Sequence, residues 1–189
     1  MVLEGSTYDE SWAHAQKIAS ETNATIIHAF DDSHVIAGQG VIGLEIIEQL
    51  PNVDEIYVPI GGGGLVAGII TAVKEKNPHV KIIGVESSAY PAMKKSLENN
   101  TLETVSGDTT IADGISVKTP GKITFDIVKQ KIDKIVTVDD RDIINAMFLL
   151  MERSKAVVEP AGAVALAYLL KHKPESGKIV VPILCGGNI

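Results

Sequence analysis

Hydrophobic positions fall into two patterns along the chain. Short runs dense in Val and Ile occur at Thr25 to His28, Glu55 to Ile60, Lys81 to Val85, Lys134 to Val138 and Lys178 to Leu184. They are apolar at successive rather than alternate positions, which predicts strands covered on both faces, as in a parallel sheet between helices. Between them, apolar residues recur every three or four positions. This spacing predicts helices over Asp9 to Thr22, Val35 to Gln49, Gly64 to Lys76, Tyr90 to Asn99, Gly121 to Lys131, Asp139 to Lys155 and Ala161 to Lys171. Asp139 and Asp140 put acid at the positive end of a helix dipole, a start signal, and Pro174 to Gly177 forms a turn. Strands alternating with helices predict an α/β fold: a three-layer, mostly parallel, doubly wound sheet. There is no internal repeat, low-complexity tract or linker, so residues 1–189 read as a single α/β domain.

Within this pattern, four consecutive glycines, Gly61 to Gly64, separate the run ending at Ile60 from the helical stretch beginning Leu65-Val66-Ala67. Lacking side chains, they let several backbone N–H groups converge, and a helix starting there adds unpaired N–H groups and its positive dipole end. Strand, glycine turn and helix together form a phosphate seat. A flexible linker would have polar flanks, whereas both flanks here are apolar. The P-loop pattern fails because Leu65 and Val66 stand where Lys and Ser/Thr belong. The dinucleotide pattern G-x-G-x-x-G fits Gly61 and Gly63 but would need a glycine at Val66. Glu86 ends a later strand at about the spacing of a ribose-binding carboxylate, which keeps a nucleotide site as the alternative.

Composition narrows the function classes. The length of 189 residues with 45% hydrophobic content suits a sizeable core. A net charge of −7 without a basic block argues against a nucleic-acid partner. No apolar run reaches the length of a membrane span, and the first residues lack the charged and apolar regions of a secretory signal. One cysteine, Cys185, excludes an internal disulfide and a cysteine-built metal site. These features together predict a cytoplasmic protein that contacts neither nucleic acid nor membrane. The strand ends His28 to Asp32, Gly61 to Gly64, Glu86 to Ser88 and Cys185 to Asn188 would converge beyond the carboxyl edge of the sheet, where such folds bind ligands.

Eight segments carry a resemblance, in order, over nearly the whole chain: Thr7 to Glu10, His28 to Asp32, Ile36 to Gly40, Pro59 to Leu65, Gly84 to Glu86, Ile111 to Ile115, Val158 to Ala163 and Cys185 to Ile189. The chain resembles the pyridoxal-phosphate enzymes of the tryptophan-synthase-β type (fold type II), most nearly the threonine/serine dehydratases, over the large-domain part of that fold. The resemblance implies pyridoxal 5'-phosphate as cofactor, an amino acid as substrate and a homo-oligomer. It implies that the backbone of Gly61, Gly62, Gly63, Gly64 and Leu65 holds the cofactor phosphate. Phe30 would border the ring, Gly114 would bring a carbonyl to its edge and Glu159 would stand nearby. Cys185 falls where the family commonly has a Ser or Thr facing the pyridine nitrogen. From residue type alone, a free cysteine is more often a small buried hydrophobe. A thiol is a weak donor, and beside the ring it would favour reactions whose charge departs quickly, such as β-elimination of a hydroxyl. Glu86 matches a position that binds a divalent cation in some relatives, notably serine racemases; the acid that helps complete that site would fall at Ala92, which offers no ligand.

Two family features are absent from the sequence: the covalent lysine in its Ser-x-Lys-x-Arg-Gly context, and the Ser/Ala-Gly-Asn-His segment that grips the substrate carboxylate. By resemblance both would precede Met1, and the chain would be about the second half of a catalytic domain, inactive alone. The expected parent reaction is conversion of L-threonine to 2-oxobutanoate and ammonia. The alternatives are a non-catalytic phosphate- or nucleotide-binding α/β module and part of a serine racemase-like enzyme.

Overall fold

The computed structural model describes residues 2–5 and 8–189; Thr7, which opens the first matching segment, lies outside them. Helix α1 (Tyr8–Thr22) is largely exposed, and α2 (Ser33–Gln49) starts where the carboxylate of Asp32 accepts the N–H groups of His34 and Val35. Then follow β1 (Glu55–Pro59), α3 (Gly64–Lys76), β2 (Lys81–Ser87), α4 (Ala92–Glu98), a 3-10 turn at Asp113–Ile115, α5 (Lys122–Lys131), β3 (Lys134–Val138), α6 (Asp140–Leu149), α7 (Pro160–Lys171) and β4 (Val180–Pro182). The strands form one parallel sheet in the order β3-β2-β1-β4.

Each central strand is buried on both faces, as its unbroken apolar run predicts. Ile56, Val58 and Ile82 pack with Val66, Ile69 and Ile70 of α3 and with Phe125 and Val128 of α5. The intervening residues Tyr57, Ile83 and Val85 join Val136 and Val138 against Ile143 and Ala146 of α6 and Val164 and Ala165 of α7. The result is the expected three-layer doubly wound arrangement. Pro59 fits in β1 because its ring nitrogen faces the β4 side. Tyr57, two residues earlier, accepts the N–H of Ile183 from that side, and Pro59 has no N–H to continue that ladder. The β1–β4 ladder therefore stops just before the glycine loop.

Several boundaries differ from expectation: β4 covers only Val180–Pro182 of the expected Lys178 to Leu184, and α2 starts at Ser33 rather than Val35. Thr25 to His28 is not a strand: it joins no ladder, and Ile26 and Ile27 are exposed. An isolated extended segment without a partner leaves its backbone groups to water. Helix α4 begins at Ala92 rather than Tyr90 because Pro91 restricts the residue before it. Helix α6 is α-helical only to Leu149. A π turn covers Leu150–Ser154, and Lys155 ends it in the left-handed region at φ 57°. No described helix is long and apolar enough to cross a membrane.

Candidate functional site

Just past the end of β1 the chain turns through the glycines into α3. Gly63 caps the helix at φ 98°, a conformation that disfavours any side chain, and no side chain caps the helix. The first bond of the helical ladder runs from the Ala67 N–H to the Gly63 carbonyl at 2.9 Å. The N–H groups of Gly63, Gly64, Leu65 and Val66 precede that bond and have no acceptor within the helix. Donors left over at the positive end of a 13-residue helix form an anion seat.

The loop forms one wall of a cavity of about 420 Å³. Ala29 and Phe30 form a second wall, Asp113 to Val117 a third, and Glu159, Ala161 and Cys185 the fourth. All nine residues expected at a cofactor site (Phe30, Gly61, Gly62, Gly63, Gly64, Leu65, Gly114, Glu159 and Cys185) line this one cavity. They come from well-separated stretches of sequence, and the fold brings them together beyond the carboxyl ends of the strands.

Contacts behind the walls hold these residues in place. The ring of Phe30 rests on the α-carbon of Gly62, where a Cβ would collide with it. At Gly63 a Cβ would fall 2.7 Å from Met93 and 2.9 Å from Thr124. The cradle therefore fits a phosphate only while these positions remain glycine. Cys185 is fixed by close backbone packing on Gly162, where a Cβ would strike its carbonyl oxygen. Burial, reinforced by the nearby Glu159 carboxylate, pushes the Cys185 thiol up to about 11, so it is neutral at pH 7. Glu159 accepts the N–H of Asn188 at 2.8 Å, and its other oxygen lies 3.3 Å from where a Cβ of Gly114 would be.

Two residues behind the walls carry structural roles that sequence reading does not assign. The Asp31 carboxylate accepts the N–H groups of Lys122, Ile123 and Thr124 at 3.0, 2.8 and 3.1 Å. It thus caps α5 from about ninety residues away. The hydroxyl of Thr124, fully buried, donates to the carbonyl of Gly62 at 2.7 Å. The available signal is a negative one: α5 follows Gly121, with no Ser, Thr, Asp or Asn at the cap position to satisfy its first N–H groups.

Glu86 is not part of this cavity. It is completely buried, and its two oxygens accept the N–H groups of Met93 at 2.8 Å and Lys94 at 3.0 Å. Burial pushes its pKa up to about 7 against those two bonds. This geometry supports neither the divalent-cation nor the ribose-carboxylate reading of Glu86: both its oxygens accept N–H groups at the start of α4. Among the described residues, no three His, Cys, Asp or Glu side chains group as a metal site.

The family model for pyridoxal-phosphate dependent enzymes matches residues 1–186. The L-threonine ammonia-lyase of Thermotoga maritima is 47% identical over 189 residues, covering 100% of this chain and 47% of that protein. The chain spans about half the length of the curated relatives it matches. Among solved structures, a threonine deaminase from T.th. superposes with a TM-score of 0.88 at 39% identity, over 93% of this chain and 64% of that one. Maize serine racemase superposes with a TM-score of 0.92 at 31% identity, over 100% of this chain and 59% of that one. The three-layer parallel sheet is thus the tryptophan-synthase-β-like fold of these neighbours. The match of the family model over residues 1–186, together with the shared fold, shows that the chain belongs to the pyridoxal-phosphate dependent enzyme family.

Proposed function

We propose that these residues supply the phosphate and ring-nitrogen side of a pyridoxal-phosphate site in a threonine or serine ammonia-lyase, whose reaction converts L-threonine to 2-oxobutanoate and ammonia. One observation carries the reading: nine residues named from the sequence resemblance line a single cavity. When bound, pyridoxal phosphate withdraws electrons from the α-carbon of an attached amino acid, so that its β-hydroxyl can leave. The chain's own residues act around that chemistry. The N–H groups from Gly62 to Leu65 hold the phosphate dianion without supplying a proton. Phe30 closes one wall with an apolar ring. Cys185, neutral at working pH, offers the ring nitrogen at most a weak hydrogen bond and no full charge. That matches an elimination, in which negative charge leaves with the hydroxyl instead of resting on the ring. Glu159 is held in place by the N–H of Asn188 and can orient polar groups from its wall of the cavity.

A serine racemase-like activity is the second reading, favoured by the superposition on maize serine racemase. The same family reading carries a homo-oligomer in the cytoplasm. The exposed stripe Ile144, Phe148 and Met151 on α6 and its π turn supports assembly, and light scattering at several concentrations checks it.

Titrating the chain separately with pyridoxal phosphate, pyridoxal and inorganic phosphate tests the cofactor reading. A cofactor site binds pyridoxal phosphate more tightly than either part alone. A bare phosphate or nucleotide module binds inorganic phosphate as well as it binds pyridoxal phosphate.

A further inference from the structure

We propose that Thr124, with Asp31 behind it, is a positioning residue that aims the phosphate-binding peptide of the glycine loop; the inference rests on the cofactor reading above. The carbonyl of Gly62 accepts twice from the start of α5: from the Thr124 hydroxyl at 2.7 Å and from the N–H of Gly121 at 3.1 Å. A trans peptide is planar, and its C=O and N–H point in opposite directions. Drawing the Gly62 oxygen back to α5 therefore turns the N–H of Gly63 the other way, and α5 contributes nothing to the cavity lining. Gly63 has φ 98° and no side chain to hold it, so its peptide is free to flip unless something outside the loop fixes it.

The fixing extends further back. Thr124 is completely buried, and its hydroxyl also lies 3.1 Å from the Gly121 carbonyl. Its own N–H is held by Asp31 at 3.1 Å, and the same carboxylate binds the two preceding N–H groups. Asp31 directly follows Phe30, whose ring covers Gly62. One carboxylate thus ties the Phe30 wall to the helix that orients the loop. Neither Thr124 nor Asp31 lines the cavity, so both act through the glycines.

The test compares wild type with Thr124→Val and Thr124→Ser by two readouts. The first is the ratio of affinities for pyridoxal phosphate and pyridoxal. A positioning role predicts that Val lowers this ratio about tenfold, the worth of one lost hydrogen bond, and that Ser restores it to within about twofold. A ratio unchanged in Val, even with a lower melting temperature, overturns the proposal, because a structural defect weakens both ligands alike. The second readout is the amide NMR spectrum of Gly61 to Gly64 without ligand. It should show one sharp set of peaks in wild type and Ser, and doubled or broadened peaks in Val. If wild type shows no preference for the phosphorylated ligand, the cofactor reading fails, and the amide spectrum decides the positioning role alone: identical spectra in all three proteins overturn it.

Discussion

The ring of Phe30 fills the space in front of the α-carbon of Gly62, so that three ring carbons occupy the volume a Cβ would take. The two residues are 32 positions apart in sequence, and their contact joins the two walls of the cavity nearest the glycine loop. Gly62→Ala is expected to destabilise the chain by about 1–3 kcal/mol through overpacking. Phe30→Ala in the same chain should relieve the clash. Urea unfolding of both singles and the double is expected to show non-additivity of about 1 kcal/mol or more. Additive effects would mean that the ring yields freely and is not a wall of the site.

Glu55 is a second buried contact with a testable consequence. It sits in β1, and its two oxygens meet Lys178 at 2.8 Å and the Tyr57 hydroxyl at 2.7 Å. Burial works against its charge, but Lys178 and Tyr57 outweigh that and hold its pKa below the usual carboxylate value. Lys178→Met leaves a nearly buried carboxylate with one partner. It should lower the melting temperature by several degrees, and adding Glu55→Gln should recover most of the loss. An unaltered melting temperature in the single variant would show that the pair contributes nothing to anchoring β4.

Glu86 ties stability to pH. Its pKa is about 7 in the fold against 4.5 for an ordinary glutamate, so between those values the native state holds the extra proton. Its contribution is therefore fully present below pH 4.5 and is lost as pH rises through 7. The shift corresponds to about 3 kcal/mol. Comparing wild type with Glu86→Gln by urea unfolding at pH 4.5 and pH 8, wild type should lose about that much relative to the variant at the higher pH. Parallel behaviour would mean that the two N–H bonds from α4 keep the carboxylate ionised throughout.

The chain alone should have no ammonia-lyase activity. Its sequence has no lysine in the Ser-x-Lys-x-Arg-Gly context, and the described residues lining the cavity include no lysine. Incubation with pyridoxal phosphate and L-threonine should yield no 2-oxobutanoate beyond that from free cofactor. Sustained turnover would show that another group replaces the lysine.

The sheet is legible in the sequence because its strands are buried on both faces: an unbroken run such as Ile82-Ile83-Gly84-Val85 has no polar position to obscure it. The glycine loop is legible because four successive glycines at a strand-to-helix junction have few structural uses. Thr25 to His28 misleads because its β-branched content is local, whereas a strand requires a partner that local sequence cannot supply. Asp31 stands within a matching motif, but its role as the cap of α5 is not legible, because its first partner, Lys122, is 91 residues away. Glu86 reads as a ligand because an acid at a strand end suggests function; only the geometry shows both oxygens bound to the start of α4.

The proposed function turns on whether the glycine loop holds the phosphate of pyridoxal phosphate. Its most direct test is a binding isotherm for pyridoxal phosphate with wild type, Gly62→Val and Gly63→Val, with folding of each variant checked by circular dichroism. A Cβ at either position meets Phe30, Met93 or Thr124 and closes the approach to the backbone N–H groups. Wild type should bind saturably and neither folded variant should bind. Unchanged affinity in both folded variants would place the phosphate elsewhere and rule out the loop as its seat.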